Sequence, residues 1–445
     1  MRNKKWLNSN LTCGIKIKAR SHIQDRYYYT TPHKKEVLVN LKKYKYIILG
    51  AGPSGLTIAH SLLDHGIPRD KILLIEKESC VGGLCRSEEV DGAPLDIGGG
   101  HFLDVRNKDA LEFVFRFMPE NDWNVFNRVS KIRLRGQEID HPLEANLWQF
   151  STSSQVDYLE SIAQAGCVRG APMPEAFADW VVWKFGERIA NEYMLPYNRK
   201  IWSMDLNELG TYWLYKLPNV SFRETLHSCL ESRAFGTLPA HGTFLYPKEY
   251  GYGEVWRRMG EALKESLILN CPVESIDLSN RTVNGQWSAE MIISTIPWVL
   301  WSGFCQVPGD IQKQIDKLRN VSIDIDYVPE LLTNQSHWIY EPDESLAHHR
   351  LLLRSNFCVG SRGYWTETNA VRSQPAVNLR YHNEFSYPVN TIEKPKAIAN
   401  ILEWAASHAI FGAGRWGKWE QMNSDVAVSL GVAEVINHVK NGGWV

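Results

Sequence analysis

The stretch Tyr46-Ile-Ile-Leu-Gly50-Ala-Gly52-Pro-Ser-Gly55-Leu56 constrains this chain more than any other. An apolar strand runs into a glycine turn, and Leu56 to Leu63 then reads as a helix. Gly50 permits the sharp turn, Gly52 lets backbone approach a pyrophosphate, and Gly55 lets helix and strand pack closely. Ser54 lies inside the same turn and is counted with these glycines as a dinucleotide-binding residue. The helix start then offers unpaired N–H groups and a positive dipole end to phosphate. Strand before and helix after separate this pattern from a chance spacing of glycines.

The next segments narrow the dinucleotide. A second strand, Lys71-Ile-Leu-Leu-Ile75, ends at Glu76, 21 residues past Gly55, where an acidic side chain accepts hydrogen bonds from an adenosine ribose. No arginine follows directly to receive a 2′-phosphate. Gly82-Gly83-Leu84-Cys85-Arg86-Ser87 then adds a second diglycine and a cation, which a nicotinamide fold does not need and a longer FAD does. The plain alternative, a surface turn at Gly82-Gly83, does not account for the acid ahead of it. The reading is FAD, with Gly82, Gly83, Leu84, Arg86 and Ser87 among its contacts.

The chain of 445 residues is long enough for two or three domains. Its charge is uneven. Residues 1–45 hold twelve Lys or Arg against Asp25 and Glu36, although the whole chain has a net charge of −1. Such an arm suits nucleic acid or an anionic membrane, but it lacks the apolar core of a signal peptide, and a poorly ordered extension is the expectation. No apolar run approaches 18 residues, so no membrane span is expected. The eight cysteines form no C-x-x-C pair and read as free thiols of a reducing, cytoplasmic compartment. No His/Cys/Asp cluster has metal spacing. Most of the 17 tryptophans read as core, with an aromatic cleft between Trp180 and Trp338 as the alternative.

The expected architecture is α/β: a Rossmann-like FAD-binding domain split by a helical insertion and an antiparallel β-sheet substrate domain. The expected boundaries are a basic extension over 1–44, FAD domain over 45–106, mainly helical insertion over 107–235, a return over 236–300, antiparallel sheet over 301–390, and a closing FAD segment over 391–445. Val129 to Pro142 reads as a hairpin turning at Gly136-Gln137. Phe177, Val181, Val182, Phe185, Ile189 and Tyr193 form one helical stripe, with Pro196 ending it and Tyr197 to Trp202 following as a loop. Glu254 to Leu267 reads as a helix, Cys271 to Ile276 and Glu290 to Ser294 as strands. Gly412-Ala-Gly414-Arg415-Trp-Gly417 leads into a helix over Val426 to Val439, whose start is aimed under the flavin, or is simply capped by Asn423 or Ser424.

Several segments together resemble the UDP-galactopyranose mutase family, within the wider amine-oxidase-like FAD superfamily. These are Gly99-Gly100-His101, Tyr197-Asn-x-Lys-x-Trp202, Trp338-x-Tyr340-x-Pro342 with Arg350 ten residues after Tyr340, Tyr387-Pro-Val-Asn390, and Gly414-Arg415-x-Gly417 with Asn423 and Asp425. The likeness runs from about Lys45 to the end. It implies a flavin-dependent isomerase that interconverts pyranose and furanose forms of a UDP-linked sugar through a flavin N5–sugar adduct, in cell-surface glycan precursor synthesis. It also implies an external flavin reductant such as NAD(P)H, needs no nucleic acid, and leaves a homodimer open.

On this resemblance Arg350 binds the diphosphate, because Arg offers planar paired donors to phosphate oxygens. The plain alternative is an ion pair with a surface acid such as Glu344. Tyr340 and Tyr387 donate to phosphate or sugar, Trp202 stacks on pyranose or uracil, and His101 faces the flavin edge. Core packing is the alternative for each. His101, Arg350 and Tyr387 are the expected catalytic residues. Gly100, His101, Arg415 and Asp425 complete the cofactor set.

Two positions depart from the family. A second phosphate arginine is expected about fifteen residues after the signature Trp, and here Lys216 stands beside that place. Gln421 replaces a tyrosine two residues before Asn423. Both changes fall in the substrate set of Trp202, Lys216, Tyr340, Arg350, Tyr387, Gln421 and Asn423. The alternative function is an FAD-dependent oxidoreductase of the amine-oxidase or protoporphyrinogen-oxidase type, which has no use for Arg350 and Lys216. A flavin-binding scaffold without turnover is the third reading.

Overall fold

The strand Lys42–Leu49 buries both its faces: Tyr46 and Ile48 enter one apolar cluster, Ile47 and Leu49 the other. Ile72–Ile75 divides in the same way. Strands that are apolar on both faces demand layers above and below them, which parallel sheets with crossover helices provide. The computed structural model, which describes residues 41–214, 219–236 and 241–442, has that arrangement. The basic arm before residue 41 and Lys216 lie outside the described residues.

Five strands are parallel, in the order Leu267–Ile268, Ile72–Ile75, Lys42–Leu49, Trp287–Ser294, Ile410–Gly412. A short antiparallel pair, Ile276–Asp277 and Thr282–Val283, extends the sheet from the start of Trp287–Ser294. The helix Pro53–Asp64 packs against Ser424–Asn441, so the first and last helices of the fold share a layer.

A second sheet of seven strands runs Arg380–Pro388, Asn320–Val328, Tyr364–Asn369, Arg350–Leu352, Trp338–Tyr340, Ser130–Leu134, Gln137–Asp140. All its pairs are antiparallel except one: Trp338–Tyr340 lies parallel to Ser130–Leu134. The hairpin expected over Val129 to Pro142 is therefore present, and it lengthens this second sheet. A third sheet joins Leu103–Asp104, Thr243–Pro247 and Trp123–Asn127.

Three expectations are corrected. Tyr197 to Trp202 is helical, within Leu195–Trp202. A π-helical turn over Ala190–Met194 runs directly into it, so Pro196 lies at the junction of the two segments, in the first turn of the second. The helix expected over Glu254 to Leu267 is Gly253–Ala262, and Leu267–Ile268 belongs to the parallel sheet. Cys271 to Ile276 is irregular but for Ile276, because its backbone turns onto Glu76 and Phe304 instead of a neighbouring strand. Among the described residues no helix is long and apolar enough to cross a membrane, no cluster could hold a metal ion, and all cysteines are free.

Candidate functional site

Three glycine turns meet at the C-terminal end of the parallel sheet. A Cβ on Gly52 would lie 4.0 Å from the Cα of Gly83, and one on Gly414 would lie 2.0 Å from Ser54 Oγ. Gly82 N–H donates to the Ala51 carbonyl at 2.9 Å, tying the second turn to the first. Gly50, Gly82, Gly83 and Gly414 all have positive φ, which only glycine adopts freely. Gly55 is held by contact as well, since a Cβ there would sit 2.0 Å from the Gly50 carbonyl oxygen. Side chains at these places would fill the space, so the turns form a bare-backbone cradle of the kind a dinucleotide pyrophosphate requires.

Glu76 stands at the rim of that cradle. Its Oε2 accepts from Ala51 N–H at 2.7 Å and its Oε1 from Glu78 N–H at 3.0 Å. The carboxylate thus braces the glycine turn and keeps acceptor lone pairs for a ribose. Arg86 folds back, its Nε donating to the Gly83 carbonyl at 3.0 Å. Ser87 is turned away: its hydroxyl donates to Asp96 at 2.6 Å and accepts from Gly253 N–H at 2.8 Å. It secures the cradle's neighbour instead of facing a ligand, a correction to its expected contact.

A cavity of about 310 Å³ opens from this cradle toward the second sheet. Its wall includes Leu84, Gly100, His101, Tyr340, Arg350, Tyr387, Arg415 and Asn423, all expected from sequence. It also includes Trp338, from the Trp338-x-Tyr340 segment singled out in the sequence, and Arg128, His241 and Ser386, which were not expected. Trp202 is absent from the wall. It is buried, donates to Asn198 Oδ1 at 3.0 Å, and meets Tyr387 edge-on at 6.5 Å, so it backs a wall residue and does not present its indole to a ligand. Gln421 and Asp425 also lie off the wall. Asp425 is buried beneath it with Oδ2 accepting from Asn107, and Oδ1 has no hydrogen-bond partner.

Arg350 is directly opposite Tyr340 in the strand pair and opposite Glu367 on its other side. Its partner is that buried acid and not Glu344, which pairs with Arg199. Burial opposes the guanidinium's charge, but Glu367 more than compensates and drives its pKa above the ordinary value. Glu367 also accepts from Gly100 N–H at 3.2 Å, so one carboxylate orients both the arginine and the backbone beside His101. Its register with Arg350 was the missing signal, and that emerges only once the strand order is known.

His101 hydrogen-bonds the Gly99 carbonyl at 2.8 Å through Nδ1. Burial, then Arg415 and Arg350, push its pKa down to about 3, so the ring that lines the cavity is neutral. Arg415 spends its donors on the carbonyls of Ser386 and Met422. The helix Ser424–Asn441 begins at the wall with Asn423 as its N-cap, and the Asn423 side chain makes no capping bond. The positive end of that helix therefore adds to the arginines. The signature Lys200 serves a structural end: wholly buried, it donates to the carbonyls of Glu341 and Asp343 at 2.7 and 2.6 Å, clasping the helix to the turn after Tyr340.

Fold and site define a Rossmann-type dinucleotide-binding protein with a second sheet domain that closes a basic cavity. Residues 48–117 match the family of NAD(P)-binding Rossmann-like domains. In sequence and in fold the chain is similar to UDP-galactopyranose mutases. It is 26% identical over 264 residues to the UDP-galactopyranose mutase of Mycoplasma pneumoniae, covering 54% of this chain and 58% of that one. It is 26% identical over 179 residues to the dTDP-fucopyranose mutase of Escherichia coli, covering 39% and 46%. The matched region thus spans about half the length of each of these relatives. The reduced UDP-galactopyranose mutase superposes with a TM-score of 0.78 at 23% identity, over 90% of this chain and 94% of the other. Putrescine oxidase shares the fold more distantly, with a TM-score of 0.60 at 15% identity over 90% and 99%.

Proposed function

We propose that this chain is an FAD-dependent nucleotide-sugar mutase similar to UDP-galactopyranose mutase, exchanging pyranose and furanose forms of a nucleoside-diphosphate sugar. The observation that carries this reading is the cavity wall, where Arg128, Arg350 and Arg415 stand with Tyr340 and Tyr387 at the mouth of a dinucleotide cradle. Such a wall attracts a diphosphate and repels an ammonium, which disfavours the amine-oxidase alternative.

The cradle fits FAD: bare glycine backbone at three turns, an acid at the ribose position, and space bounded by Leu84 and Gly100 for a flat ring. When bound and reduced, the flavin supplies the nucleophile for the anomeric carbon. The protein's own residues do the rest. Arg350, aligned by Glu367, holds the departing diphosphate and stabilises its charge. Tyr340 and Tyr387 orient phosphate and sugar. Neutral His101 offers a hydrogen-bonding nitrogen without adding charge beside the arginines.

The purified protein, reduced with dithionite and given UDP-galactopyranose or dTDP-fucopyranose, should form the furanose. Peroxide released from an amine or a porphyrinogen, with no sugar turnover, would sink the mutase reading. The sugar, the reductant and the place in glycan precursor synthesis belong to the same proposal.

A further inference from the structure

Arg128 lies in the turn between the strands Trp123–Asn127 and Ser130–Leu134, and it lines the cavity. Its guanidinium is held flat in one place. The Cζ atom sits 4.7 Å over the Trp338 ring. Nε donates to Ser130 Oγ at 2.9 Å, and Nη2 donates to the Tyr340 hydroxyl at 2.9 Å and to His141 Nδ1 at 3.1 Å. Burial and this arginine keep His141 well below its ordinary pKa, so it remains a neutral acceptor. Stacking on an indole and hydrogen bonds to these groups hold the guanidinium in one orientation on the wall.

Tyr340 links Arg128 to Arg350. It is the register partner of Arg350, and cross-strand partners stand on the same sheet face, while its hydroxyl accepts from Arg128. The two guanidiniums therefore flank one tyrosine on the cavity wall. Arg350 shares its charge with Glu367. A diphosphate ester needs a second cation beside Arg350.

We propose that Arg128, in the turn between Trp123–Asn127 and Ser130–Leu134, is that second diphosphate-binding residue. The proposal rests on the nucleotide-sugar reading, and names a nucleoside diphosphate ester as what Arg128 selects over a monophosphate.

The test is calorimetric titration of the flavin-loaded protein with UDP and with UMP. Wild type should prefer UDP by at least about tenfold. Arg128→Met should lose about 10- to 100-fold in UDP affinity with little change for UMP, so that the preference collapses. Arg128→Lys should restore part of it. The preference is a ratio measured on folded molecules, so a fall in stability of the variant does not mimic this result. An unchanged UDP preference in Arg128→Met overturns the assignment while the mutase reading stands. Failure of wild type to bind either UDP or dTDP overturns both.

Discussion

Arg350 places Nη2 at 2.5 Å and Nε at 2.7 Å from the same oxygen, Oε2, of Glu367. Glu367 is only 1% exposed, so each charge depends on the other. Removing either partner of such a pair costs about 3–5 kcal/mol, because the survivor is stranded. Arg350→Ala should therefore lose both UDP binding and stability. The double change Arg350→Met with Glu367→Leu should regain most of the stability and none of the binding. Urea midpoints and UDP titration on the three proteins separate the two effects. A double variant as unstable as the single one would show that the pair is not the source of the cost.

Lys200 stabilises the wall from behind. Lys200→Met keeps the length of the side chain but leaves the Glu341 and Asp343 carbonyls without their donor. The expected loss is about 2–4 kcal/mol, read as a lower thermal midpoint. A change below about 0.5 kcal/mol would mean that water takes the place of the ammonium.

The glycine cradle can be probed with two alanines. Gly55→Ala drives a Cβ to 2.0 Å from the Gly50 carbonyl, so the turn must open, at about 1–3 kcal/mol, and the protein should purify without flavin absorbance. Gly66, unlike Gly55, has a positive φ, and a Cβ there meets nothing within 4 Å. Gly66→Ala should cost about 1–2 kcal/mol and retain the flavin. Equal flavin content in the two variants would contradict the cradle.

Buried histidines set an acid limit. Burial lowers the pKa of His60, His337 and His348 to about 4 and of His101 to about 3. Groups depressed in this way contribute stability that is complete above the unfolded value of about 6.5 and is lost as pH falls toward the folded one. Asp96 and Glu144, raised by burial to about 7, act in the opposite sense, stabilising below about 4 and less so as pH rises through 7. Four shifted histidines outweigh two carboxyls. The urea midpoint should therefore fall steadily from pH 7 to pH 5, and a flat profile would refute the assignment.

Local chemistry carried much of this site into the sequence. Gly52, Gly55, Glu76 and the Gly82-Gly83 turn were legible because a nucleotide cradle needs bare backbone and an acid at set distances along one βαβ unit. Arg350 and Tyr340 were legible as a spaced pair, and the strand pair brings them together. Arg128 and Glu367 were not. Each acts on a neighbour more than 100 positions away in the numbering or across a strand whose partner the local pattern does not specify. Trp202 and Ser87 erred in the other direction. Both have the right chemistry for a ligand, but their hydrogen bonds are already taken by Asn198 and Asp96. Pro196 misled for a third reason, since its effect depends on whether it opens or interrupts a helical turn.

The closing strand Ile410–Gly412, the Gly414 turn and the helix Ser424–Asn441 complete a cradle begun at residue 42. During synthesis the glycine turn at Gly50 must wait for nearly four hundred further residues before its far wall exists. Cofactor capture then waits on residues 410–441, and a ribosome that stalls before them releases a product with the signature of a nucleotide site but no enclosure for one.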